Sequence, residues 1–293
     1  MNFEYTVLED NLFYTVKEVL KSYFLVSSRL LSKLKSNKSI FLNNKQCNLS
    51  EKVYIGDKIS FKLDYEEDNS NIVATNIPLN IVYEDNCLLI INKQPNIAIH
   101  PSMLHYDNSL SNGVKYYFDS IGLKKKVRPV NRLDRNTSGL VIFAKNEYVQ
   151  EFLIKQMQSN AFSKEYLSIL NGILVQKQGT INAPIARKEG SIIERCVDET
   201  GHNAITHYKV LREFNNLSLV NFKLETGRTH QLRVHSNYIG HPILGDDLYG
   251  KSSPLINRQA LHSYKISFIH PKTRKLVEFT INMPSDMESI IKQ

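Results

Sequence analysis

Apolar positions fall in two rhythms along the chain. Between residues 12 and 36 they recur every three or four positions: Val16, Val19, Leu20 and Tyr23 form one stripe, Leu30, Leu31 and Leu34 another. That spacing predicts two short helices. They part near Val26-Ser27, and Ser27 or Ser28 can cap the second. Residues 39–45 read as a strand running into a turn. Gly56-Asp57 then turns the chain into a strand with Ile59, Phe61 and Leu63 inward and Lys58, Ser60 and Lys62 outward. Residues 65–79 are acidic, rich in asparagine and contain Pro78, which is linker composition. A hairpin follows over 81–91, with its turn at 84–86. Next come a helix at 109–118, an apolar strand at 140–144 and an amphipathic helix at 147–159 that carries Val149, Phe152, Leu153 and Met157 on one face. Alternation marks strands at 163–172, 205–210, 217–224 and 277–281, and a helix capped by Thr229 is predicted over 229–239, ending at Gly240. The fold class expected is α+β. A small α/β module spans 12–64, a linker 65–79, and a mixed, mainly antiparallel β domain 80–293.

Charge sharpens this division. Residues 11–63 hold ten Lys/Arg against three Asp/Glu, a balance of +7 within a total of +8; residues 64–86 hold six acids and no Lys or Arg. A basic module points to a polyanion such as RNA. Arg29, Lys33 and Lys35, on the polar side of the second helix, are its candidate contacts. Three well-separated cysteines, Cys47, Cys87 and Cys196, match no zinc spacing and read as reduced cytoplasmic thiols. The first residues carry no secretory pattern, and no apolar run approaches the roughly 20 residues of a membrane span.

The chemistry concentrates at residues 128–140. Asp134 stands among Arg128, Arg132 and Arg135, followed by the turn-forming Asn136-Thr137-Ser138-Gly139 and an apolar strand. A carboxylate on a stiff turn beside positive charge suits a covalent nucleophile. It equally suits an ion pair capping the turn, and the residues alone leave both open. Tyr166, in an alternating strand, is by itself a core aromatic. His230, His235 and His241 lack the His-Glu-x-x-His pattern and accompanying carboxylates, so no metal is expected. Neither a dinucleotide fingerprint nor a P-loop is present, and no cofactor is expected.

Arg132-Leu133-Asp134-Arg135-Asn136-Thr137-Ser138-Gly139 resembles the Arg-Leu-Asp-x-x-Thr-Ser-Gly signature of the RluA-type pseudouridine synthases. Two further stretches resemble that family's motifs in order: Lys164-Glu165-Tyr166, and Gly227-Arg228-Thr229-His230-Gln231-Leu232-Arg233-Val234-His235. The resemblance implies an enzyme that isomerises uridine in RNA, ribosomal RNA before transfer RNA. Asp134 would be the nucleophile. Tyr166 would pack on the target base and take part in removing the proton from carbon 5. Arg233 would pair with Asp134. Arg132 would fill the gap left by the flipped nucleotide and hold phosphate. Asn131 stands where members commonly have His, and Gln94 interrupts the usual Asn-Lys-Pro at Asn92-Lys93-Gln94-Pro95. His241 to Asp246 and Leu261-His262 are family-like and read as architectural. The first module resembles the alpha-L RNA-binding module, and a monomer is expected. One rival is a non-catalytic RNA-binding or ribosome-assembly protein on a synthase scaffold; its mark would be loss of Asp134, Tyr166 or Arg233, and all three are present. A nucleosidase or glycosidase would want a second carboxylate as acid, and none is near enough in sequence to nominate.

Overall fold

The structure, a computed structural model, describes residues 1–8, 13–103, 105–159 and 161–292. Residue 12, where the first module and helix are expected to begin, and residue 293 lie outside the described residues. Strand β1 (Asn2–Thr6) opens the chain. Helix α1 (Val16–Glu18) runs on as a π-turn over Val19–Tyr23, and α2 (Ser28–Ser36), β2 (Ile40–Leu42), β3 (Lys45–Gln46) and β4 (Lys58–Lys62) follow. Thr15 and Glu18 close a reciprocal capping box on α1, and Ser27 caps α2 through the Leu30 amide at 3.2 Å. The strands form one antiparallel sheet in the order β1-β4-β2-β3. β1 precedes the expected start of the module. Its Asn-Phe-Glu-Tyr-Thr alternation buries Phe3 and Tyr5 and exposes the rest, a signal too short to stand out beside the helical stripes.

The larger part contains β5 (Ile81–Glu84), β6 (Leu88–Lys93), α3 (Leu110–Ser120), β7 (Arg128–Pro129), β8 (Ser138–Ala144), α4 (Glu147–Gln158) and β9 (Ser163–Asn171). It continues through β10 (Gln178–Asn182), β11 (Ile185–Arg187), β12 (Arg195–Val197), β13 (Ile205–Phe214), β14 (Leu217–Leu224), α5 (Gln231–Tyr238), β15 (Leu261–Ile269), β16 (Leu276–Thr280) and α6 (Ser285–Ile291). Its ten-stranded sheet runs β10-β13-β14-β9-β15-β8-β6-β5, with β16 on β15 and β7 on β8. Only the β15–β8 pairing is parallel among the described strands, so the expected α+β class with a mixed, mainly antiparallel sheet is borne out. β15 is absent from the strands expected above, yet it is the central one that brings β8 and β9 together.

Residues 65–79 form no helix or strand and are largely exposed, but the segment is tied down at Tyr65, Glu67 and the buried Asn69. Glu67 takes the Arg128 guanidinium with both oxygens, at 2.6 and 2.8 Å. The Tyr65 hydroxyl donates to Glu147, while the Lys33 and Lys125 ammonium groups lie 3.7 and 4.6 Å from its ring centroid. Of the acids that read as linker composition, Glu67 finds its basic partner on β7 and Glu66 meets Lys124 in the loop before it. One continuous apolar core joins Phe3, Phe24 and Phe61 to Tyr148, Phe152 and Phe268, with Phe3 and Phe61 edge-on to Tyr148 at 4.5 and 5.1 Å. Two further cores lie under β9–β14–α5 and under β6–β8–α3, and Leu133 packs against both. The residue after Leu133 is Asp134. No helix among the described residues is long and apolar enough to cross a membrane.

Candidate active site

Asp134 sits in the loop between β7 and β8, which three side chains fix from outside and a fourth from within. Lys93, 1% exposed, donates to the carbonyls of Gln94, Ile97 and Arg135 at 2.9, 3.1 and 2.9 Å. Arg258 donates to the Asn136 carbonyl at 3.3 Å, and Gln259 to the Thr137 hydroxyl at 3.2 Å. Asn131, within the loop, is buried, and both ends of its amide are taken by β8: it donates to the Leu140 carbonyl at 3.0 Å and accepts from the Ile142 amide at 2.9 Å. Asn131 therefore anchors the loop to the strand that follows. Gly139 is the second residue of β8 rather than the end of the turn. Its φ of +119° and the Ser263 backbone, 2.2 Å from where a Cβ would lie, both require glycine.

A cavity of about 410 Å³ opens beside this loop and is lined by Arg132, Asp134, Lys164, Tyr166, His230 and Arg233, among others. The three motifs thus converge although β9 and α5 come from distant parts of the chain. Tyr166, on β9, lies in register with Phe222 of β14 and Ser263 of β15. Burial above all, with the charge of Asp134 adding, drives its phenol well above the ordinary range. Lys164, two residues earlier on the same strand face, has its ammonium lowered by burial.

Arg233 points from α5. Its Nη1 lies 3.4 Å from Asp134 Oδ2, while its Nε and Nη2 hold Asp246 in a two-point fork at 2.7 and 2.8 Å. The expected Arg233–Asp134 pair is present, but as a single long contact. The bidentate partner is Asp246, a residue read from sequence as architectural. Burial opposes the Arg233 charge, yet hydrogen bonding and charge from Asp246 hold the guanidinium above its ordinary range. His230 Nε2 lies 3.9 Å from Asp134 Oδ1, and His230 Nδ1 is 2.8 Å from the Tyr249 hydroxyl. Burial keeps this imidazole below its usual range, against the pull of Asp134.

The collar of Arg128, Arg132 and Arg135 does not form around Asp134. Arg128 is held by Glu67, Arg135 donates to the Asn96 carbonyl at 3.3 Å, and Arg132 stands exposed at the cavity rim. Spacing along a loop placed these charges together in sequence, but extended neighbours point to different sides. Arg29 and Lys35 are exposed on α2, whereas Lys33 turns inward to Glu147 at 3.1 Å and to Tyr65.

Helix α5 starts at Gln231, two residues later than expected, and Thr229 does not cap it. His230 takes the cap position with a left-handed φ of 58°, and Gln231 Oε1 accepts the Arg228 amide and the Thr226 hydroxyl, each at 2.9 Å. The three histidines of this region go separate ways. His235 bonds Thr206 and the Ala183 carbonyl, His241 the Asn171 carbonyl, and His230 Tyr249. Asp85, Cys87 and His270 also gather, with His270 Nε2 3.0 Å from Asp85 Oδ2. There Asp85 Oδ1 accepts the Cys87 and Leu88 amides at 2.7 Å each and closes the β5–β6 turn.

Residues 87–238 match the family model described as RNA pseudouridylate synthase. The chain is 38% identical over 268 residues to an uncharacterized RNA pseudouridine synthase, YjbO, of Bacillus subtilis (strain 168), covering 91% of this chain and 95% of that protein. The chain belongs to the RNA pseudouridylate synthase family. It is 35% identical over 276 residues to the ribosomal large subunit pseudouridine synthase D of Blochmanniella floridana, covering 87% of this chain and 86% of that one. Among solved structures, human RNA pseudouridylate synthase domain containing 1 superposes with a TM-score of 0.60 at 27% identity, over 71% of this chain and 85% of the other. This pseudouridine synthase is therefore an isomerase acting on uridine in RNA, and every residue lining the cavity around Asp134 except Leu261 lies within the matched residues. Lys93, His230, Gln231, Asp246 and Tyr249 are site residues that the sequence left without a role. All but Tyr249 stand in stretches that resemble family motifs, but the resemblance gave none of them a part in the chemistry.

Proposed function

We propose that Asp134 is the nucleophile, Tyr166 the residue that stacks on the freed uracil, and Arg233 the partner that orients Asp134. The observation that carries this is their convergence on one cavity, with Arg233 Nη1 at 3.4 Å from Asp134 Oδ2. The reaction breaks the bond between ribose C1′ and uracil N1, turns the base, and joins C1′ to C5. C5 loses a proton and N1 gains one, so nothing is oxidised or reduced. The uridine must leave its stack for its C1′ to reach Asp134 in the cavity. Asp134 can attack C1′, as a retaining glycosidase nucleophile does, or act as base toward a glycal. The raised Tyr166 phenol favours stacking over service as a preformed phenolate at neutral pH.

The target proposed is large-subunit ribosomal RNA, a reading supported by the relatives that bear that name. Residues 12–64 serve as an RNA-binding module, with Arg29 and Lys35 as contacts, residues 65–79 as the connection, and residues 80–293 as the catalytic domain. Arg132, exposed at the cavity rim, is the candidate for the vacated base position and its phosphates. The test is tritium release from carbon-5-tritiated uridine in ribosomal RNA from cells lacking the protein. Native enzyme releases tritium and Asp134→Asn does not. Release that survives Asp134→Asn would remove the nucleophile assignment, and none from native enzyme that still binds the RNA would overturn the target.

A further inference from the structure

Asp246 lies just behind the cavity and is not among the residues that line it, yet it grips Arg233, the α5 side chain that reaches Asp134. The residue is fully buried. Its Oδ2 accepts Arg233 Nε at 2.7 Å; its Oδ1 accepts Arg233 Nη2 at 2.8 Å and the backbone amides of Leu248 and Tyr249 at 3.1 and 3.2 Å. The turn so closed places Tyr249 with its ring 5.1 Å from the Arg233 guanidinium carbon and its hydroxyl 2.8 Å from His230. Gly245 makes the approach possible: it has a φ of +73°, and a Cβ there would meet the Arg258 carbonyl at 2.3 Å.

A guanidinium prefers to grip a carboxylate with two parallel N–H groups. Two acids compete for Arg233. Were its fork to close on Asp134, both oxygens of the proposed nucleophile would accept a charged N–H, each would keep only one lone pair, and both would be weakened toward carbon. In the structure Asp246 takes the fork, and Asp134 receives one N–H on one oxygen. We propose that Asp246 is a positioning residue of the reaction: by occupying the Arg233 fork it keeps Asp134 singly held and its second oxygen available.

This rests on Asp134 and Arg233 acting as proposed above, and a double-mutant cycle separates the two ideas. Single-turnover rates are measured for Asp246→Asn in the native background and in Arg233→Lys, whose ammonium has no fork and needs no competitor. Asp246→Asn lowers the rate about 100-fold in the native background, the scale expected for a misplaced reactive group, and less than about threefold in Arg233→Lys. RNA affinity stays within about threefold of native throughout. Equal losses in both backgrounds would overturn the proposal and mark Asp246 as scaffold only. Rates left unchanged by both Arg233→Lys and Arg233→Ala would instead remove Arg233 from the reaction. Should Asp246→Asn fail to fold, Asp246→Glu keeps the charge but shifts the carboxylate. A loss in the native background that Arg233→Lys suppresses then supports the proposal, and an unsuppressed loss overturns it.

Discussion

Lys93 is spent entirely on backbone carbonyls, those of Gln94, Ile97 and Arg135. An ammonium has three donors and all are used here. Burial nevertheless pushes it from an ordinary 10.5 down to about 7, with Asp134 opposing the shift. The folded value lies below the unfolded one, so between them the unfolded chain binds more protons and stability rises with pH. Between pH 7 and 9 the native protein gains about 1–2 kcal/mol relative to Lys93→Met, read from urea unfolding at each pH. Parallel curves would mean that the ammonium is not desolvated. None of this was legible in Asn92-Lys93-Gln94-Pro95, because one of the three acceptors comes from a loop some forty positions away. Asp134, Tyr166 and Arg233 were legible because each stands in a run of fixed residue types. Asp246 was not, because a carboxylate in a polar loop looks the same whether it is solvated or fully buried.

Helices and antiparallel neighbours declared themselves through spacing. α4 buries Val149, Phe152 and Leu153 as its stripe predicts, and β13 and β14 pair from Thr206–Leu224 to Phe214–Leu217 around a tight turn at Asn215-Asn216. β15 also alternates, but a strand's partner and direction are properties of the sheet. The signature glycine shows what that pairing demands. Gly139 faces Ser263 where β8 runs parallel to β15, and a methyl group there meets the β15 backbone. Gly139→Ala destabilises the protein by about 2–5 kcal/mol through overpacking and a disfavoured φ together, measured by urea or thermal unfolding. A loss below about 0.5 kcal/mol, the range of an ordinary surface change, would show that the two strands can part without cost. The start of α5 differs from its sequence pattern for a related reason: Thr229 has the right chemistry for a cap, but Gln231 satisfies the turn from inside.

At the scale of the molecule, the first sheet and the larger one share a core, and residues 65–79 are strapped between them by Glu67 and Tyr65. Net charge therefore overstates what RNA can meet. Arg128 and Lys33 are both paired with acids, while Arg29, Lys35 and Arg132 are exposed without such partners among the described residues. Replacing Arg29 or Lys35 by Ala reduces the slope of log affinity against log salt by about one each. Lys33→Ala leaves the slope unchanged and lowers the melting temperature. A slope that responds equally to all three would place the RNA across the α2–α4 junction instead. The sorting of charge by segment was legible in composition and the pairing was not, since composition cannot tell an acid that repels from one that is matched.

The loop that carries Asp134 is tied down by Lys93, Arg258 and Gln259, which reach it from other elements, and by Asn131, which ties it to the next strand. Fixing one residue's backbone costs about 1–2 kcal/mol of conformational entropy, and for this loop that cost is met when the chain folds. An arriving uridine finds the acid already immobile, so its own binding energy goes into leaving the stack and seating in the cavity. As the proposed nucleophile, Asp134 then behaves as a carboxylate held at a very high local concentration. A ligature loosened anywhere around the loop then lowers turnover while leaving the RNA's grip on the protein intact.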